Sequence, residues 1–520
     1  MFGSYFNTGQ QGLLATAFLL AVLAMIFHGR EREKTALVLL LSSALAMRLF
    51  AAFLDPYLNM WDESVHALVA KNMSQYPLTP MLFREEALDL TYTNWTENHI
   101  WLHKQPFFLW VMALSIKVFG PTVFAVRFPS AVFSVAWVFF THGIAHALYG
   151  RRTAFIAALL MTFTNWTLSQ VAGFEPTDHN DSAFVALVGG SLWAWYAVLP
   201  RSERRGVLLI GVFAGCAVLT KWLTGLLVFA GWGATVLVYG SERWARIKLM
   251  VRALCIATVI AAPWQIYAWA RFPVEMSNEM SYNARHFCEV LEGNGGTENY
   301  YFDRIAEKLF PFDPYLFSVF VLLGLFSIRR RDHRLHALIT VVGLFEFFTV
   351  AASKMGGYIL PILPYFLTSI AYCIDRCAPE QLGGKWPDVV RLSAAGFLAG
   401  MLLNIPQLQI RHTAQCRVDP YFARYVPARL NNLASLHELD HLIGDTPRAV
   451  VFHVPYPENL NLAYFHGHEG LSWMPSIEYC ERLHAAGCSL FLVDPPEGGP
   501  SLPAYVRVIH RDRPMFLPCE

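Results

Sequence analysis

The chain has 520 residues and a formal net charge of +1, which excludes attachment to nucleic acid by bulk electrostatics. Hydrophobic residues make up 55% and charged residues only 15%, where a soluble domain carries about 25% charge. A water-soluble fold cannot hide that much apolar surface, and a mean hydropathy of +0.36 makes the bilayer part of the solvent.

Apolar runs of roughly 17 to 25 residues are the unit of a membrane helix. Taken in chain order they fall at about 11–28, 35–54, 123–148, 153–171, 181–199, 206–221, 223–240, 249–268, 312–328, 335–351 and 357–374, with a twelfth candidate at 389–404. The first run lacks a basic flank and a small-residue cleavage site, so it reads as a retained helix. Short basic connections punctuate the runs: Arg30/Arg32/Lys34, Arg151/Arg152, Arg201/Arg204/Arg205, Arg243/Arg246/Lys248 and Arg329/Arg330/Arg331/Arg334. By the positive-inside rule these are cytoplasmic. Residues 55–105, 172–180, 269–311 and the Ser353–Gly357 turn then lie outside, and 106–119 must be an interfacial helix that returns to the same side. The expected fold is mainly α: a polytopic bundle of about 11–12 membrane helices over 1–404, with interfacial helices in the first large outer loop.

Three segments are longer than connections. Residues 55–122 and 269–311 form the large outer loops. Residues 405–520 read as a small extracytoplasmic α/β domain, with strands at Ala449–Val454 and Ser489–Asp494 and a helix near Ser476–Ala486 between them. Cys416, Cys480, Cys488 and Cys519 fall in that tail, where disulfides are permitted. Cys480–Cys488 is the most local pairing, and free thiols in a small core are the alternative.

The polar residues that interrupt this pattern gather at the expected outer face. Asp62 and Glu63 follow the second span. Val65, Leu68, Val69 and Met73 have helical spacing after them, which puts both acids in the first turn of a membrane-surface helix. An acidic first turn is the ordinary explanation of such a pair; its place beside the bilayer argues for more. His103-Lys104-Gln105-Pro106 closes the same loop, and a lysine there can hold a lipid phosphate or simply snorkel. Glu175, Asp178, His179, Asn180 and Asp181 cluster before the next span, where Asn180 or Asp181 would also serve as a helix cap. Lys221 breaks an apolar run and marks either a turn or a ligand. Lys354 and Tyr358 stand in an outer turn ahead of Pro361 and Pro364, as donors or as interface anchors. Arg271, Arg285 and His286 lie in the loop 269–311.

Together these residues carry a resemblance. The chain resembles the polyprenyl-phosphate-sugar glycosyltransferases of the C-type fold, in the group of protein O-mannosyltransferases and lipid A aminoarabinose transferases. The resemblance runs from about 45 to 375, on the ordered set Asp62-Glu63, Lys104-Gln105-Pro106, Arg127-Phe128-Pro129-Ser130, Asp181, Leu219-Thr220-Lys221 and Lys354…Tyr358-Ile359-Leu360-Pro361…Pro364. It departs from the family's pattern at Gln105, where that pattern has a proline, and in an extra helix before the one leading to the acids. The resemblance implies that Asp62 is the main catalytic acid with Glu63 beside it, and that Lys104 and outer basic residues hold the carrier phosphate.

The expected reaction moves a sugar from a polyprenyl (undecaprenyl or dolichyl) phosphate to a lipid, glycan or protein acceptor outside the membrane, with inversion. Asp62 acts as base, with Glu63 and Asp181 as further acids. His103, Lys104, Lys221, Arg271, Arg285, His286, Lys354 and Tyr358 form the substrate- and phosphate-binding set. No cofactor is required by the sequence; a divalent cation on Asp62 and Asp181 is a tentative option. The expected location is multi-pass in a bacterial inner membrane, with the site facing the periplasm. The rival classes are a transporter or flippase of lipid-linked glycans, whose charges would sit near the bilayer midplane, and a glycan ligase, in which Asp62 would be dispensable.

Overall fold

The computed structural model describes residues 6–60, 62–175, 178–239, 242–309, 313–377, 385–405, 420–496, 502–513 and 515. The chain groups into two compact units, one of Met1–Phe53 and Phe128–Asn404, the other of Leu54–Arg127 and Ile405–Glu520. The sequence alone sets a boundary at 404; in the structure the first large loop groups with the C-terminal segment beyond it.

Among the described residues, eight helical stretches are long and apolar enough to cross a membrane, or ten if each of two bent pairs is one span. The chain is a multi-pass membrane protein. One of the eight, Glu203–Val238, holds two helices, Glu203–Lys221 and Leu227–Val238, joined by a 3-10 turn over Trp222–Leu226. The chain doubles back there. Trp222 has a φ of +55°, and a Cβ on Gly225 would lie 2.5 Å from the Val218 nitrogen, whereas residues seven apart in one helix stand about 10 Å apart. The helix Asp178–Trp193 runs on through a π turn, Ala194–Val198. Each of the twelve runs expected from the sequence therefore falls on a helix.

Two local devices shape the membrane unit. The helices Arg151–Phe163 and Asn165–Val171 meet at a 48° bend. Such a break frees carbonyls that lipid cannot satisfy. The buried guanidinium of Arg48 takes them up, donating to Thr162 O and to Met161 O at 2.9 Å, and also to Ser134 Oγ at 3.0 Å and Thr167 Oγ1 at 3.1 Å. Gly211 and Gly215, four apart, let the helix Glu203–Lys221 close on Arg243–Arg271; a Cβ at either would come within 2.7 Å of Ala253 O or 2.9 Å of Ala257 O. This is small-residue packing, the usual substitute for a hydrophobic drive inside lipid.

The loop unit is built around the helix Asp62–Met73 and a parallel sheet. Strands β1 (Ala449–Phe452), β2 (Glu469–Leu471), β3 (Ser489–Val493) and β4 (Arg507–Ile509) pair in the order β2-β1-β3-β4. All three ladders are parallel, with Val450 opposite both Glu469 and Leu490, and Leu492 opposite Val508. The unbroken apolar runs of β1 and β3 suit strands covered on both faces. The helices Pro420–Ile443, Glu458–Phe465 and Ile477–Ala485 supply the cover. Leu436, Leu439 and Ile443 pack with Val451, Leu462, Phe491 and Ile509 in one core cluster. Cys480 and Cys488 carry free, buried thiols, so the local disulfide is not formed; Cys416 and Cys519 lie outside the described residues.

The helix Asp62–Met73 is enclosed further than its apolar stripe foretells: every residue but Lys71 is buried. Two of its polar members bond to loop backbone inside the unit. Asn72 Nδ2 donates to Met81 O and Leu82 O at 3.0 Å, and Ser64 Oγ to Asn59 O at 2.7 Å. The helix Pro106–Phe119 packs beside it, started by Pro106, whose missing N–H costs nothing at that position.

Candidate active site

Asp62 and Glu63 are consecutive, and the fold gives them different surroundings. The Glu63 side chain has no solvent exposure and neither does that of Arg127. Their pairing is bidentate, Nε to Oε1 at 2.7 Å and Nη2 to Oε2 at 3.1 Å. Glu63 Oε2 also accepts from the Asn59 backbone at 2.5 Å. Arg127 in turn donates to Tyr57 O at 3.0 Å and Asp55 O at 3.3 Å. A charge pair of this kind fixes geometry more than it adds stability. Glu63 is thus committed to holding the chain that leads into the helix.

Asp62 is buried too, but less completely. Its side chain is 10% exposed and that of Lys104 18%, with Oδ2 and Nζ 4.0 Å apart. That separation is longer than a direct hydrogen bond. The arrangement sets a carboxylate and a cation side by side in a largely enclosed place. His103, the neighbour of Lys104, stacks on Trp95 at 4.9 Å and meets Trp101 edge-on at 5.8 Å, while Trp101 Nε1 donates to Trp95 O at 2.9 Å. Its imidazole lies in an aromatic wall beside the lysine.

The membrane unit holds a second group of the expected residues. Lys221 ends its helix at the chain reversal and donates to Asp181 Oδ1, at the start of the helix Asp178–Trp193. The Lys221 ammonium also lies 5.0 Å from the Tyr358 ring centroid and 5.9 Å from that of Phe184, within cation–π range. Ser130 Oγ and His179 Nδ1 are 2.7 Å apart. Lys354 is buried, with Nζ donating to Ala351 O at 2.6 Å and its backbone N–H to Asn294 O at 2.7 Å. The adjoining Ser353 N–H donates to His286 O at 3.1 Å. The turn carrying Lys354 is therefore knit to the last turn of the helix Pro273–Cys288, which the sequence reads only as charged loop, and to the segment after it. Arg285 pairs with Glu289 four residues on, at 2.7 Å on the surface. Each holds the other charged: through their shared hydrogen bond the Glu289 carboxyl falls below its ordinary value and the Arg285 guanidinium rises above its own. Arg271 lies over the ring of its neighbour Phe272.

Arg127, Arg429, Lys71 and Lys308 are absent from the expected set. Arg127 had a signal, since a charge inside an apolar run needs a buried partner. Lys308 pairs with Glu175 at 2.6 Å, 133 positions away, and nothing local marks it. A metal fits poorly. The Asp181 carboxylate is engaged by Lys221, and among the described residues no group of three or more His, Cys, Asp or Glu side chains is placed to share an ion.

In architecture the chain shares the C-type fold, and in sequence it resembles the polyprenyl-phosphate sugar transferases built on that fold. Residues 103–267 match the family described as dolichyl-phosphate-mannose-protein mannosyltransferase. Over 86% of its length the chain superposes on 87% of the ArnT of Cupriavidus metallidurans bound to undecaprenyl phosphate, with a TM-score of 0.61 and 16% identity. The oligosaccharyltransferase AglB of Archaeoglobus fulgidus shares the fold more loosely, with a TM-score of 0.51 and 13% identity over 84% of this chain and 64% of that one. In sequence, an undecaprenyl phosphate-α-4-amino-4-deoxy-L-arabinose arabinosyl transferase of Pseudomonas fluorescens Pf0-1 is 28% identical over 195 residues, 35% of this chain and 34% of that protein. Its namesake from Pseudomonas aeruginosa LESB58 is 31% identical over 173 residues, 31% of this chain and 30% of that protein. The chain thus spans about a third of the length of these curated relatives.

Proposed function

We propose that the chain is an integral-membrane glycosyltransferase that moves a sugar from a polyprenyl-phosphate carrier to an acceptor hydroxyl, with inversion and with Asp62 as general base. The observation that carries the reading is the contrast within the acid pair: both oxygens of the Glu63 carboxylate are bound by Arg127, while Asp62, less completely enclosed, has Oδ2 4.0 Å from Lys104 Nζ. Asp62 takes the proton of the acceptor hydroxyl as the acceptor oxygen bonds to the anomeric carbon. The bond from that carbon to the phosphate oxygen breaks on the opposite face, and the polyprenyl phosphate leaves with the electron pair. Lys104 is assigned to the charge growing on that phosphate, where a fixed cation lowers the barrier. The basic connections support a site on the periplasmic side of a bacterial inner membrane.

The substrate printed for the curated relatives, undecaprenyl phosphate-α-4-amino-4-deoxy-L-arabinose, is the first donor to try. With that labelled donor and an envelope-lipid acceptor pool, Asp62→Asn in membranes is expected to lower transfer by about 10²–10⁴, the usual contribution of a general base. An Asp62→Asn protein that inserts normally and transfers at the full rate rules the mechanism out.

A further inference from the structure

The acid-bearing helix is held from the C-terminal segment as well as from its own loop, and one residue there is placed to set the position of Asp62. Arg429, in the helix Pro420–Ile443, is buried and reaches across 371 positions of sequence to donate through Nη2 to Leu58 O. Its Nη1 donates to Glu458 Oε1, and the guanidinium lies 5.6 Å from the Tyr57 ring centroid. Glu458 is fixed in turn by Asn432 Nδ2 at 3.0 Å and Asn461 Nδ2 at 2.9 Å, all of them buried.

Arg127 grips the same turn. Arg127 binds Asp55 O and Tyr57 O; Arg429 binds Leu58 O; the next residue, Asn59, gives its N–H to Glu63 and its carbonyl to Ser64. Asp62 begins the helix turn so held. The far end of the helix is tied to the same partner element. Lys71 Nζ donates to Ala463 O and Tyr464 O at 2.7 Å, the last carbonyls of the helix Glu458–Phe465 that Glu458 begins. Both ends of the approach to Asp62 are thus referred to one short helix.

We propose that Arg429 is a positioning residue for transfer: with Glu458 it sets the height of the Tyr57–Asn59 turn and so aims Asp62 at the acceptor hydroxyl. Buried ion pairs are rarely retained for stability, since replacing both members by apolar side chains is often neutral. Their effect on geometry is larger, because a misplacement of about 1 Å costs on the order of 10²-fold in rate. The inference rests on Asp62 being the base.

The test uses the full chain in membranes. Arg429→Met combined with Glu458→Leu removes both charges and leaves neither buried alone, while Arg429→Lys keeps the charge beside Glu458 but cannot serve Glu458 and Leu58 O together in the same fork. In both, kcat is expected to fall 10- to 100-fold with KM for the labelled donor within about threefold and thermal stability near that of the parent. A kcat within twofold of the parent in Arg429→Lys, or a loss expressed in KM alone, overturns the proposal. Asp62→Asn is run alongside: if it transfers fully, the reading of the base has failed; if it is dead while the Arg429 variants are fully active, only the positioning role has failed.

Discussion

Lys71, in the last turn of the acid-bearing helix, points its amine at two carbonyls, those of Ala463 and Tyr464. A neutral amine has two N–H donors, so it can satisfy both without the third proton. Burial disfavours the charge first of all, with the nearby Arg84 adding to it, and the pKa falls from 10.5 to about 8. The sign follows directly. Between pH 8 and 10.5 the unfolded chain holds a proton that the folded chain has lost, so stability rises with pH through that window and is lowest below it. At 1.36 kcal/mol per pKa unit, discounted for the part that solvent still reaches, the gain is about 1–3 kcal/mol. Thermal unfolding of the parent and Lys71→Met at pH 7.5, 9 and 10.5 should show the parent gaining on the variant with each step. Parallel curves would show that Lys71 stays charged when folded.

The helices of the membrane unit depend on where bulk is missing. Gly215 faces Ala257 O at 2.9 Å, while Gly233 has nothing within 4 Å of a Cβ. Gly215→Leu must push Glu203–Lys221 away from Arg243–Arg271 and is expected to cost about 1–3 kcal/mol. Gly233→Leu, on an open helix face, should leave thermal stability in detergent within about 0.5 kcal/mol of the parent. Equal losses at the two positions would mean that close helix approach is not what Gly215 provides. At this scale most of the fold was legible. Apolar length alone located the helices from Thr8–Gly29 to Trp386–Leu403, because lipid demands that length. The helix Pro273–Cys288 escaped because it is polar and carries no span signal, and β2 and β4 escaped because three residues cannot show a period. The first-turn position of Asp62 was readable, but the partner of Glu63 was not. Its partner Arg127 is 64 positions away, and only the folded chain makes them neighbours.

At the scale of the whole molecule, the residues the sequence assigns to one outer loop and to a separate tail act as one unit. Arg448 clasps Glu85 at 2.7 and 2.9 Å, Arg482 meets Asp89 at 2.8 Å, Tyr479 donates to Leu88 O at 2.6 Å and Tyr464 to Thr122 O at 3.0 Å. The exposed pairs among these add little singly. The partly buried ones, from Tyr479 and Tyr464, satisfy loop carbonyls, and all of them join segments more than 300 positions apart, which no local pattern can announce. Removal of the segment after 404 should therefore do more than delete a domain. The helix Asp62–Met73 would lose Arg429 at its approach and the two carbonyl acceptors of Lys71 at its end, leaving its amides with only the contacts of its own loop. Hydrogen exchange over 62–73 in membranes is expected to quicken by at least 10-fold in the truncated chain, with the helix Glu203–Lys221 unchanged, because local opening follows the loss of buried contacts. If 62–73 keeps its full protection without the segment, the loop carries its own order and the C-terminal unit serves some other purpose.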